Sequence, residues 1–161
     1  MRLVIIRCGK KKVWSGNPDV GPQKGKDTCT GGYFTTNKWF AKSRGCDWMI
    51  LSAKYGFMAP DFPIPENYNV TFTKPATHPI STPRLTEQVE ELGLGRYDEV
   101  TVLGGVEYVK RIREAYRGTG ARIEAPFAGY SNAVQEHMVN YVLQEDLTPQ
   151  GEMKTTVPRR K

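Results

Sequence analysis

The feature that most constrains the fold is an alternation of short apolar runs with segments of helical periodicity. Each apolar run has the length and composition of a buried strand, and the runs cover residues 2–6, 47–52, 97–103 and 122–125. Helical segments follow them at residues 33–44, from Ser81 onward, at 106–116 and at 134–142. Because strand and helix alternate four times, we expect a three-layer α/β/α fold with a four-stranded parallel sheet covered on both faces.

This order also predicts where the functional residues lie. Ligands of open parallel sheets bind beyond the carboxyl ends of the strands, so the segments that follow each strand carry the most information. We expect one catalytic domain over residues 1–145 and a basic, flexible tail over residues 146–161.

The charge balance indicates an anionic partner. The net charge is +6 and the pI is near 9.3. Such values favour nucleic acid or nucleotide phosphates, although a basic protein with no anionic partner is the alternative.

The three cysteines, Cys8, Cys29 and Cys46, are far apart and form no CxxC pair. This spacing argues against a disulfide scaffold and a structural zinc site, and it favours a reduced, cytoplasmic environment. No run is long enough for a membrane span, and the first strand begins where a signal peptide would lie. We expect a cytoplasmic monomer that needs no metal or cofactor.

The loop after the first strand is cationic and contains glycine. Its candidate ligand-binding residues are Cys8, Gly9, Lys10, Lys11, Lys12, Lys24 and Lys26, with Asp19 as the one acid between residues 7 and 26. Such a loop at a sheet edge is suited to phosphate oxygens. The alternative is a solvated run of charge.

A second candidate group follows the second strand, where Ser52, Lys54 and Tyr55 come directly after buried residues. Lys54 could contact phosphate, protonate a leaving group or, if desolvated, attack a sugar C1′ as an amine. Tyr55 could stack on a base. Alternatively, Lys54 extends to solvent and Tyr55 packs.

The proline-rich segment 53–80 is long for irregular chain in a compact domain, which is typical of a functional loop. Asp61 is a candidate to orient water or balance a cationic sugar, and Asn69 could read a base edge. Tyr68 is a candidate binding residue. Any of these could instead be a turn residue. After the third strand, Gly104 and Gly105 would let a ligand or backbone come close.

These motifs resemble a family of small uncharacterised bacterial and phage domains. The residues that carry the resemblance are Cys8-x-Lys10-x-Lys12, Thr30-Gly31 before an aromatic helix start, the run Leu-Ser-Ala-Lys-Tyr-Gly-Phe at 51–57, Pro60-Asp61 and Tyr68-Asn69. The first motif is also similar to one in the core domain of archaeosine synthase, which works on a modified tRNA base. The resemblance implies a uracil-DNA glycosylase-like fold.

The resemblance stops short of uracil specificity. The Gly-Gln-Asp-Pro-Tyr-His and His-Pro-Ser-Pro segments of true uracil-DNA glycosylases are absent, and Gly9 stands where the family usually has serine. A uracil, a deazaguanine or a modified cytosine would therefore be equally compatible with the motifs.

The leading hypothesis is an N-glycosylase that flips a base, modified or not, out of nucleic acid, with DNA favoured over RNA, in repair or in anti-phage defence. Lys10, Lys54 or Asn69 would stabilise the departing base, and Asp61 would serve the sugar. One alternative is a non-catalytic nucleic-acid binder, which would tolerate Asp61→Asn. Another is an enzyme of free nucleosides or nucleotides, which would tolerate loss of residues 152–161.

Overall fold

A computed structural model describes residues 1–146. Within that part of the chain, five strands form one sheet in the order β4-β3-β1-β6-β7. The parallel strands are β1 (Arg2–Arg7), β3 (Asp47–Ser52), β6 (Glu99–Leu103) and β7 (Arg122–Glu124), and β4 (Gly56–Met58) adds an antiparallel edge. A separate antiparallel ribbon pairs β2 (Gln23–Lys24) with β5 (Pro63–Ile64).

The helices lie between and after these strands. The long ones are α3 (Gly32–Ser43), α4 (Thr82–Glu91), α5 (Val106–Ala115) and α6 (Asn132–Asp146), and the first long loop adds the single turns α1 (Val13–Gly16) and α2 (Gly25–Thr28). Short 3-10 turns cover Pro75–Thr77 and Leu94–Arg96. Among residues 1–146, no helix combines the length and the apolar character that crossing a bilayer requires.

Both faces of the sheet are buried against helices. On β1, Leu3 and Ile5 pack in one apolar cluster with residues of α4 and α5. The alternate residues, Val4 and Ile6, pack in a second cluster with residues of α3 and α6. Because successive side chains of a strand point to opposite faces, one continuous apolar run supplies both cores.

The structure confirms the four predicted strands, the four predicted long helices and the parallel pairing. The prediction of four strands is corrected to five in the main sheet, because β4 follows β3 after a short turn. Strands of two or three residues are too short to show a period of two, so β2, β4 and β5 left no signal in the proline-rich and glycine-rich loops. The predicted tail covers residues 146–161, of which Asp146 ends α6 and residues 147–161 lie outside the described part of the chain.

The topology creates a crevice between β1 and β6. The chain leaves β1 toward α3 on one face, whereas it leaves β6 toward α5 on the other face. Adjacent parallel strands whose connections diverge in this way leave a gap at their carboxyl ends, which is where ligands bind in open α/β sheets.

The β4 edge depends on one glutamine of α4. Phe57 donates its backbone N–H to Gln88 Oε1 at 2.9 Å, and Gln88 Nε2 donates to the Tyr55 carbonyl at 2.9 Å. Gly56 lies between them with a φ of +77°, and a Cβ there would overlap the Gln88 side-chain oxygen. Glycine is therefore required at position 56 both for its backbone angle and for space.

Gly56→Ala should lower the free energy of unfolding by about 2–4 kcal/mol, because it adds a left-handed backbone penalty to a steric overlap. Gly120→Ala is the matched control, since Gly120 has a φ of +78° and open space around it; it should cost only about 1 kcal/mol. Urea unfolding measures both. Equal losses of unfolding free energy in the two variants would show that the Gln88 contact imposes no constraint on position 56.

Candidate nucleotide site at the carboxyl edge of the sheet

A cavity of about 190 Å³ occupies the crevice at the carboxyl end of β1. Its walls come from the loop after β1, from the irregular segment before α4 and from the first turn of α5. The described residues that line it are Cys8, Gly9, Lys10, Lys12, Asn69, Val70, Thr71, Thr73, Lys74, Thr77 and Tyr108. Amines, hydroxyls and an amide line the cavity, and no carboxylate does so among these residues, so it suits an anionic or hydrogen-bonding ligand.

Lys12 is the most unusual member of this lining. Only 4% of its surface is exposed, and within residues 1–146 no carboxylate pairs with it. Its Nζ donates to the Lys10 carbonyl at 3.3 Å and lies 4.5 Å from the centre of the Tyr68 ring. Burial lowers the pKa of the Lys12 ammonium, because a low-dielectric environment disfavours the charged form.

The backbone explains why Lys12 turns inward. Residue 12 forms an antiparallel bridge with Cys29, and Thr30 donates its N–H to the Lys11 carbonyl at 3.2 Å. Lys11, the neighbour of Lys12, is exposed. Lys12 was predicted to grip phosphate, with a solvated run of charge as the alternative, and the structure buries its side chain. A pairing across the loop cannot be read from a run of three lysines.

A disulfide joins Cys8 to Cys29, with Cα atoms 5.9 Å apart. The expectation that these cysteines are distant and reduced is therefore wrong. The loop between them folds back so that two residues 21 positions apart in sequence become neighbours, which their spacing does not indicate. Because Cys8 also lines the cavity, the disulfide ties this part of the cavity wall to Cys29.

Ser52 organises the residues next to the cavity. Its Oγ accepts the backbone N–H groups of Lys54 at 3.1 Å and Tyr55 at 3.2 Å, and it shares a hydrogen bond of 3.0 Å with the Tyr68 hydroxyl. The Tyr68 hydroxyl is also 3.6 Å from Cys8 Sγ. Burial raises the pKa of Tyr68 to about 12, so its hydroxyl stays protonated at neutral pH and can act only as a donor or a neutral acceptor.

Aromatic contacts complete this side of the site. The Tyr55 ring meets the Tyr68 ring edge-on at 5.2 Å. Lys54 is exposed, and its Nζ lies 5.6 Å from the centre of the Tyr68 ring. The desolvation that would make Lys54 a nucleophile is therefore absent from Lys54 and present at Lys12.

The structure brings several predicted residues together. Lys10, Lys12, Cys8, Gly9 and Asn69 line the cavity. An open groove of about 430 Å³ adjoins it, lined by Lys10, Lys11, Ser15, Asn67, Tyr68 and Asn69. The groove and the cavity share Lys10 and Asn69, so a bound strand and a bound base could contact the same two side chains.

Asp61 is not brought to the cavity. Its side chain is 70% exposed and forms ion pairs with Lys26 at 3.3 Å and with Lys24 at 3.7 Å. These lysines belong to the region of the β2–β5 ribbon, so the three predicted residues form a surface cluster of their own. Exposed pairs of this kind contribute little to stability.

The two glycines after β6 differ in their roles. A Cβ on Gly104 would lie 3.4 Å from Tyr108 Cβ and 3.6 Å from Arg7 Cβ, which are ordinary van der Waals contacts between β1 and α5. Gly105 is the N-cap residue of α5 and has open space where a side chain would lie.

Sequence reasoning did not select Arg7 or Tyr108 as site residues. The Arg7 guanidinium lies 4.9 Å from the centre of the Tyr33 ring and 5.6 Å from that of Tyr108. Tyr108 donates its hydroxyl to the Cys8 carbonyl at 3.4 Å. Tyr108 could have been found, because it lies in the first turn of a helix that follows a parallel strand.

The described residues offer no metal centre. Across residues 1–146, no three His, Cys, Asp or Glu side chains are grouped closely enough to hold a metal ion.

Comparisons with known proteins place the chain among uncharacterised proteins. The profile described as "Family of unknown function (DUF6884)" matches residues 3–141. The "Uncharacterized protein YfjM" of Bacillus subtilis (strain 168) is 34% identical over 143 residues, which cover 89% of this chain and 91% of that protein. No solved structure matches. The matches agree with the resemblance to an uncharacterised family and do not extend to uracil-DNA glycosylases or archaeosine synthase.

Stability should depend on pH through Lys12. Because the folded state lowers the pKa of this amine, the unfolded chain holds more protons between the folded and unfolded pKa values, and stability rises with pH across that window. Lys12→Met should therefore be more stable than the parent at pH 7, with the difference shrinking toward pH 10. Urea unfolding at both pH values measures this, and a stability difference that is the same at both pH values would contradict the expectation.

Proposed function

This chain belongs to the DUF6884 family, whose description assigns no activity, and we propose that the protein is an N-glycosylase that acts on a base of nucleic acid. DNA is the favoured substrate, and the base is flipped out of the strand before its bond to the sugar breaks. A uracil-DNA glycosylase-like three-layer fold, a monomeric state and a role in repair or anti-phage defence are parts of the same proposal.

The observation that carries the proposal is the polar cavity at the point where the connections of β1 and β6 diverge. At about 190 Å³ it is smaller than the pockets that hold drug-sized ligands, and it suits a single base. The adjoining groove presents Lys10 and Lys11 beside Asn67 and Asn69. A flipped nucleotide needs both features, since its base enters a pocket while its phosphates stay on a cationic surface.

The lining also matches the charge that develops in the reaction. When the N-glycosidic bond breaks, negative charge builds up on the departing base. Lys10, Lys12 and Asn69 supply donors toward that charge from within the cavity. Asp61 has a different role in this proposal: its carboxylate orders Lys24 and Lys26, and these two lysines contact phosphate outside the cavity.

A second candidate function is non-catalytic binding of nucleic acid. One observation favours it: among the described residues that line the cavity there is no carboxylate to activate water. The cationic groove alone would suffice for this function.

Base release from DNA is the direct test. The protein is incubated with several genomic DNAs, including phage DNAs with modified bases, and with a tRNA; abasic sites are scored by alkaline cleavage and free bases by mass spectrometry. One DNA should yield one released base. Lys10→Ala and Asn69→Ala should each slow that release by about 100-fold, the usual cost of one donor to a developing charge. Lys42→Ala is the control, since Lys42 lies exposed on α3 and does not line the cavity.

If the nucleic acids stay intact but shift on a gel, the glycosylase proposal is overturned and the non-catalytic binder takes its place. If no DNA or tRNA shifts on a gel and none releases a base, both candidates are overturned. That result would favour a free nucleoside or nucleotide as substrate.

Affinity for DNA should fall with salt, because lysine contacts to phosphate release counterions. The double variant Lys10→Ala/Lys11→Ala should reduce the slope of log affinity against log salt by about 2, which is about 1 for each lost phosphate contact. Fluorescence anisotropy with single-stranded and duplex oligonucleotides measures the slope. An unchanged slope would mean that Lys10 and Lys11 do not contact phosphate and that the phosphates bind outside the groove.

A further inference from the structure

We propose that Lys12 Nζ attacks C1′ of the bound nucleotide, so that the protein forms a covalent adduct and also cleaves the strand as a lyase. This inference deepens the proposed function and rests on it, since it concerns the same cavity and the same sugar. It assigns to Lys12 a role that the sequence argument gave, conditionally, to Lys54.

The cavity contains an amine suited to this role. Lys12 lines the cavity although only 4% of its surface is exposed, and within residues 1–146 it has no ion-pair partner. A buried lysine without a counter-ion favours the neutral amine, which is the nucleophilic form. Lys10 and Lys74 also line the cavity, but both are exposed.

The composition of the lining points to an amine rather than to water. Attack by water needs a base to take its proton, and no carboxylate is present among the described lining residues. A neutral amine attacks with its own lone pair and needs no such base.

Lys12 is also held in place. Its backbone bridges to Cys29, which the disulfide ties to Cys8 in the cavity wall. The centre of the Tyr68 ring is 4.5 Å from Nζ. Attack converts the neutral amine into a cation, and the face of an aromatic ring stabilises such a charge.

The steps balance without an oxidant, a reductant or a metal. Nζ forms a bond to C1′, the N-glycosidic bond breaks, and the base leaves with its electron pair and takes up a proton. The C1′–O4′ bond then opens, O4′ takes up a proton from water, and a protonated imine joins Lys12 Nζ to C1′. Water takes a proton from C2′, and the electron pair of that C–H bond expels the 3′ phosphate and cuts the strand. Water finally hydrolyses the imine and frees the amine.

The test uses an oligonucleotide with one abasic site, as single strand and as duplex, because its C1′ aldehyde forms the same imine whatever the natural base is. Cyanoborohydride should trap the full-length protein on this DNA, and mass spectrometry of the digested adduct should place the sugar on Lys12. Without the reductant, the strand should be cut on the 3′ side of the abasic site.

Lys12→Arg keeps the positive charge and removes the nucleophile, so trapping and strand cleavage should both be lost. Lys42→Arg is the matched control and should retain both. If Lys12→Arg fails to fold, the mapped position of the adduct in the parent protein decides the question. An adduct at Lys10, at Lys11 or at the N-terminal amine, or no adduct at all, overturns the inference.

The assay separates this inference from the proposed function. Release of a base from DNA with no adduct at Lys12 leaves the glycosylase standing and overturns the covalent mechanism. An adduct at Lys12 with strand cleavage, but with no base released from any DNA, overturns the glycosylase and leaves a lyase of abasic sites.

Discussion

Burial of β1 on both faces is the constraint on which the other elements depend. Its alternate residues feed two separate cores, so helices must cover both sides of the sheet. Hydrogen bonding to β3 on one side and to β6 on the other fixes β1 at the centre. The chain leaves β1 and β6 toward opposite faces of the sheet. The gap between these two connections is the position at which open α/β sheets bind ligands, whatever residues line it.

The polar groups in that gap are expensive to keep there. A buried lysine amine with no acid partner among residues 1–146 loses its hydration and gains a hydrogen bond of 3.3 Å and a ring face in exchange. A chain selected for stability alone would have an apolar residue at position 12. A costly buried amine beside a cavity is typical of residues kept for function.

The sequence allowed the parallel strands to be predicted as short apolar runs, and the long helices to be predicted because each has enough residues to show its period. Candidate residues directly after strands, such as Lys10 and Ser52, were also predicted, since strand ends fix their positions. The surface position of Asp61 could not be predicted, because its ion-pair partners Lys24 and Lys26 come from a segment that is distant in sequence. The burial of Lys12 was hidden for the same reason: it arises from pairing with Cys29, and local pattern carries no information about such long-range contacts.

Gln88, which binds the β4 edge, affects how the protein associates with other copies at high concentration. An edge strand normally offers unpaired N–H and C=O groups to any strand that approaches, which is how sheets join between molecules. Gln88 occupies two of these groups, one on Phe57 and one on Tyr55, in the way that a neighbouring strand would. A side chain of the protein's own helix thus takes the place of an intruding strand, and this end of the sheet is protected from edge-to-edge aggregation.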